Sequence, residues 1–161
     1  MPEKIYILTG PVQSGKTTKL MKWSIDKKEV SGILTPVVDG KRVFYNVRTK
    51  EQFRMEAEPG EENILEIGKF IFSKDSFERA IYILEKAMEN NSGWLIIDEI
   101  GPLELRGEGF AEVMKNILDK GNSSRLLIVV RENLIQRVID FFKINRDRAE
   151  VLKIDAVFFN K

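Results

Sequence analysis

The eight residues Gly10-Pro11-Val12-Gln13-Ser14-Gly15-Lys16-Thr17 constrain this chain more than any other feature. An apolar run at 5–8 precedes them, and helical spacing follows from Lys16 through Leu20, Met21 and Ser24 to Lys28. The order is strand, loop, helix, and the octet matches GxxxxGK[ST] at every fixed position. Gly10 and Gly15 let the backbone curl so that successive N–H groups point inward, and the opening helix adds the positive end of its dipole. Such a loop cradles phosphate. Lys16 is expected to reach the β- and γ-phosphates of a nucleoside triphosphate, and the Thr17 hydroxyl to ligate Mg²⁺.

A magnesium ion on such a loop calls for a carboxylate from a neighbouring strand. Residues 94–97 form a short, continuous apolar run, as in a strand buried on both faces, and it ends in Asp98-Glu99. Asp98 is the expected magnesium residue, and Glu99 is placed to polarise a water for attack on the γ-phosphorus. The chain has no His and no Cys. A general base must therefore be a carboxylate or a Lys, and disulfides and thiolate metal sites are excluded. Phosphoryl transfer also gains from a cation near the γ-phosphate. Arg131, just after an apolar run at 126–130, is the first candidate, with Arg106 and Arg125 as rivals.

The remaining chain alternates the two periodicities. Residues 30–38 are rich in β-branched side chains, and Asp39-Gly40 separates them from a returning strand at 41–47, which predicts a hairpin insertion. Residues 52–57 extend it, and 69–72 suggest another strand after an acidic stretch containing Pro59-Gly60. Ser73 can cap a helix with Phe77, Ala80, Ile81, Leu84 and Met88 on one face, ending in the turn at 90–93. Phe110, Val113, Met114, Ile117 and Leu118 mark a helix stopped by Gly121, and Leu134, Ile135, Val138 and Phe142 mark another. A last strand is expected at 151–154. Strands alternating with helices predict an α/β fold with a mostly parallel sheet covered on both faces, its ligands beyond the carboxyl ends of the strands.

At 161 residues the chain has the length of one domain, spanning 1–161, and no repeat or linker breaks it. The formal net charge of +1 gives no argument for nucleic acid or an anionic membrane. No apolar run approaches a membrane span and the first nine residues lack signal-peptide organisation, so a cytoplasmic location is expected.

From Asp98-Glu99-Ile100-Gly101-Pro102-Leu103-Glu104-Leu105 the chain resembles the thermophilic-type nucleoside triphosphatase family, whose human member is the cancer-related nucleoside triphosphatase. The likeness takes in the phosphate loop with Thr17-Thr18, the hairpin region 32–47 and the helix entry at 68–80, and is weak over the last thirty or so residues. It implies a RecA-like P-loop core and magnesium-dependent hydrolysis of several nucleoside triphosphates with low base selectivity. By motif position it assigns phosphate contacts to Gly10, Pro11, Val12, Gln13, Ser14, Gly15, Lys16, Thr17 and Thr18, the metal to Thr17 and Asp98, and water activation to Glu99. The chain departs from the family at Gln13, where a further Gly is usual, and at Val37-Val38, where a basic residue is expected before the hairpin turn.

Two other functions fit the same residues. A small nucleoside or nucleotide kinase would use Arg131, Arg137, Arg146 and Arg148 as a basic lid over an acceptor. A nucleotide-gated binding protein would hydrolyse slowly and signal through residues 98–105.

Overall fold

The computed structural model of the chain describes residues 1–11, 15–25, 27, 29–90, 93–121 and 125–153. Its first strand, β1 (Lys4–Thr9), leads through the phosphate loop into α1 (Lys16–Ser24). The helix stops short of the expected Lys28, a residue outside the described ones, and Ile25 beyond its end is exposed. β2 (Val30–Leu34) is followed by Thr35-Pro36, and the run predicted as one strand is split there, because proline has no N–H to continue a ladder. β3 (Val37–Val38) then pairs antiparallel with β4 (Lys41–Asn46). Asp39 and Gly40 both have positive φ, 52° and 79°, the left-handed pair that a two-residue hairpin turn requires. β5 (Gln52–Arg54) extends the insertion on β4, as expected.

A second hairpin, β6 (Ile64–Ile67) and β7 (Phe70–Ser73), precedes α2 (Lys74–Glu89). Ser73 caps the helix by accepting from the Ser76 N–H at 3.2 Å, as its residue type predicts. β8 (Trp94–Ile97), a short helix α3 (Pro102–Leu105), α4 (Ala111–Lys120), β9 (Arg125–Val129), α5 (Ile135–Phe142) and β10 (Ala149–Lys153) complete the chain. Ile154, expected in the last strand, lies outside the described residues.

The main sheet runs β10-β1-β9-β8-β2-β4-β3, with β5 on β4. Its neighbours from β10 to β2 are parallel, and the insertion strands are antiparallel. Successive side chains of a strand face opposite ways. Thus Leu95 and Ile97 join Leu126, Ile128, Phe77, Leu84 and Met114 in one core, while Ile96, Leu127 and Val129 join Leu8, Leu20 and Trp94 in the other. Residues 94–97 look uniformly apolar because both faces are covered, each buried side chain contributing roughly 1.5–3 kcal/mol.

β9 separates β1 from β8, so the carboxyl ends of the phosphate-loop strand and the acidic strand flank the carboxyl end of β9. Beside them β2 pairs with β8, Gly32 opposite Ile96. Gly32 has φ +137°, and a Cβ there would lie 2.1 Å from the Ile96 carbonyl oxygen. Gly32→Ala is therefore expected to destabilise the protein by at least about 2 kcal/mol, measurable by urea unfolding. An unchanged midpoint would show that the two strands do not approach so closely.

Candidate active site

Gly15 caps α1 in the left-handed conformation, φ 84°, with no side-chain hydrogen bond at the cap and no acidic residue in the first turn. The positive end of the helix therefore meets the cleft without a neutralising carboxylate on that turn. Lys16 is buried, its Nζ donating to the carbonyl oxygens of Gly10 at 3.1 Å and Pro11 at 3.0 Å. Val12, Gln13 and Ser14, the middle of the predicted loop, lie outside the described residues.

The next residue reaches the acidic strand. The Thr17 hydroxyl donates to Asp98 Oδ2 at 2.7 Å, and the Thr35 N–H donates to the same oxygen at 3.2 Å. Burial drives the Asp98 carboxyl above its ordinary value, while these two hydrogen bonds and Arg42 work against that rise. A hydroxyl and a carboxylate in contact fit a hard divalent cation that takes its other oxygens from phosphate and water. Among the described residues no group of three or more His, Cys, Asp or Glu side chains could hold a metal by itself, so the donor set suits an ion that arrives with phosphate.

Glu99 follows directly, with Arg131 Nη2 at 3.6 Å from its Oε1. Burial and then the neighbouring Asp98 push the Glu99 carboxyl up, opposed by Arg131, Arg42 and Lys16. Its surroundings make it a stronger base than an exposed glutamate. The rivals to Arg131 lie elsewhere: Arg125 stacks on Trp94 at the amino ends of their strands, and Arg106 donates to the Glu66 carbonyl and pairs with Glu108. Of the proposed basic lid, Arg146 donates to Gln136 and Arg148 to the Pro2 carbonyl at the far end of β1, so those two are engaged away from the cleft.

Gly15, Lys16, Thr17, Thr18, Asp98, Glu99 and Arg131 together line one cleft of about 620 Å³. Two further cations there were not singled out from the sequence, Arg42 from β4 and Lys69 from the tip between β6 and β7. Arg42 donates to the Thr35 carbonyl at 3.4 Å. It places a basic group of the returning strand in the cleft, where Val37-Val38 bring none. The pairing of Val37 with Arg42 across Asp39-Gly40 was the available signal.

Glu104 was also missed as an individual residue. Its Oε1 accepts from the Gly101 N–H at 2.8 Å and its Oε2 from the Phe110 N–H at 2.9 Å, pinning both ends of the loop that follows Glu99. Burial nonetheless raises its carboxyl from 4.5 to about 7. The folded state holds this proton more tightly than the unfolded chain, so the contribution is fully present below about pH 4.5 and lost as pH rises through about 7. The raised value corresponds to roughly 3 kcal/mol. Urea unfolding between about pH 5 and pH 8 is expected to show this loss in the native chain and not in Glu104→Gln. Parallel pH profiles for the two would show that the carboxyl is not perturbed.

A parallel sheet with the phosphate-loop motif after β1 and a carboxylate at the end of β8 defines a P-loop α/β protein. The chain belongs to the NTPase family, whose profile matches residues 5–157. It is 33% identical over 125 residues to the nucleoside-triphosphatase THEP1 of Thermotoga sp. (strain RQ2), a match covering 70% of this chain and 67% of that protein. The THEP1 of Methanopyrus kandleri is 25% identical over 169 residues, covering 100% of this chain and 90% of the relative. A mouse protein, the cancer-related nucleoside-triphosphatase homolog, is 28% identical over 178 residues, covering 93% of each. The crystal structure of THEP1 from the hyperthermophile Aquifex aeolicus shares the fold, with a TM-score of 0.71 over 98% of this chain and 95% of that one at 19% identity. No helix among the described residues is long and apolar enough to cross a membrane.

Proposed function

We propose that this protein hydrolyses nucleoside triphosphates to diphosphate and inorganic phosphate, with Mg²⁺ as its ion and little selectivity for the base. The observation that carries the reading is Glu99, a half-buried carboxylate in the same cleft as Lys16 and Thr17. The names of the relatives, nucleoside triphosphatases with no base specified, support it.

In this reading the Gly10 to Thr18 loop and the start of α1 hold the phosphates through backbone N–H groups. Lys16 exchanges its carbonyl partners for β- and γ-phosphate oxygens. Thr17 and Asp98 hold Mg²⁺, which when bound neutralises charge on the phosphates. Glu99 accepts a proton from the attacking water, and its raised basicity favours that transfer. Arg131 and Arg42 compensate charge spreading over the transferred group. Among the described residues lining the cleft, Gln52 is the single side-chain amide, which supports weak reading of the base.

Phosphate release from ATP, GTP, CTP and UTP with Mg²⁺ tests this directly. Sites that read a base through hydrogen bonds discriminate by about 10⁴-fold or more, whereas rates within about tenfold of each other are expected here. Glu99→Gln is expected to bind nucleotide normally and lose about 10²-fold or more in turnover. Lys16→Ala is expected to lose nucleotide affinity, and Arg131→Ala to lower turnover by at least about tenfold. Normal hydrolysis by the Glu99→Gln variant would remove Glu99 from the mechanism.

A further inference from the structure

Glu99 and Arg131 stand between two cavities. One is the phosphate cleft, and the other is a pocket of about 420 Å³ that shares Thr35, Arg42, Lys69, Phe70, Glu99 and Arg131 with it. Its further walls include Met55, Ile67, Phe72, Phe77, Leu103 and Phe110. Hydrolysis asks for one water beside Glu99, and a water claims only about 30 Å³ of liquid and needs two to four polar partners. This pocket is more than ten times that volume, and its inner walls offer few such partners. Glu104 is the carboxylate among them, and both of its oxygens already accept backbone N–H groups. Ligand sites have this size and apolar character.

The position of the pocket says what its occupant can do. In phosphoryl transfer the attacking oxygen approaches roughly in line, opposite the leaving oxygen of the diphosphate. In the proposed reading Lys16 binds the phosphates in the cleft, and Glu99, the base for the attacking oxygen, lines both that cleft and this pocket. Phe72, Phe77 and Phe110 stand close together at this wall, Phe72 to Phe77 at 6.0 Å and Phe77 to Phe110 at 5.2 Å between ring centres, both tilted, an aromatic surrounding that suits a flat ring. A charged body would lose its hydration there without compensation. The cations Arg42, Lys69 and Arg131 gather at the mouth, where the transferred phosphoryl group carries its charge. An anionic attacking group would meet the Glu99 carboxylate, whereas a hydroxyl can donate its proton to it.

We propose that this pocket is an acceptor site for a small, uncharged aromatic alcohol, to which the protein passes the γ-phosphoryl group in place of water. The proposal rests on the reading of Glu99 as the base and extends it to a second co-substrate. The alcohol oxygen forms a bond to the γ-phosphorus as its proton moves to the Glu99 carboxylate. The bond from that phosphorus to the bridging oxygen breaks, and the diphosphate leaves with the electron pair. Glu99 then returns the proton to solvent, and the products are a phosphomonoester and a nucleoside diphosphate.

The test incubates the full chain with Mg²⁺ and γ-labelled ATP, with and without millimolar benzyl alcohol, 2-phenylethanol or each of the four ribonucleosides, and measures labelled inorganic phosphate and labelled ester separately. At least one alcohol is expected to divert label into ester, with inorganic phosphate falling by the matching amount. Ile67→Trp, on a partly exposed strand of the β6–β7 hairpin, fills the pocket and is expected to lower the ester-to-phosphate ratio at least about tenfold. Met55→Phe, a smaller increase in volume, is expected to lower it in the same direction. Phosphate release unchanged by every alcohol, with no ester, overturns the acceptor site and leaves the hydrolase reading standing. Slower release without ester overturns it too, and makes the pocket an inhibitory one. Ester formed where no phosphate appears without alcohol supports the acceptor site and sinks the hydrolase reading, and silence in both channels overturns both.

Discussion

One buried carboxylate oxygen ties the site together. Asp98 Oδ2, at the end of β8, accepts from the Thr17 hydroxyl at the start of α1 and from the Thr35 N–H just past β2. Three segments distant in sequence are fixed to one another through that atom. Leaving either donor without its partner in this buried setting costs about 1–3 kcal/mol. The same contact sets Thr17 beside the acidic strand, where an ion held by phosphate would meet both oxygens.

Burial organises the carboxylates around this point. Asp98, Glu99 and Glu104 are all pushed toward their protonated forms, each held by a different compensation. Asp98 has a hydroxyl and a backbone N–H, Glu99 has cations, and Glu104 has two backbone N–H groups. Of the three, Glu99 alone has its opposing interactions at the longer range of charges, which leaves its oxygens open to another donor. The three therefore differ in the kind of partner each has, and the proposed function gives the chemical role to Glu99.

Much of this was legible locally. The helix that opens at Lys16, the Asp39-Gly40 turn, the Ser73 cap and the apolar run ending at Asp98 depend on residues within a few positions of one another, and the structure has each of them there. β6 escaped notice because Ile64, Leu65 and Ile67 follow a polar stretch, and their role depends on pairing with β7. The end of α1 at Ser24 was misjudged because helical spacing continues in the sequence after the helix stops.

The sequence by itself determined the phosphate loop, the paired acids and the alternation of strands and helices, since each follows from backbone geometry and spacing over a few residues. Strand order was decided only in the tertiary structure. With β9 between β1 and β8, the residue that follows its end, Arg131, meets Glu99, while Arg125 at its beginning is carried to the opposite edge. The hairpin brings Arg42 to Thr35, and the β6–β7 tip brings Lys69 to the same mouth. These placements follow from pairings between strands remote in the chain, whose register and order depend on how both faces of the sheet are buried at once, and no local pattern carries that information.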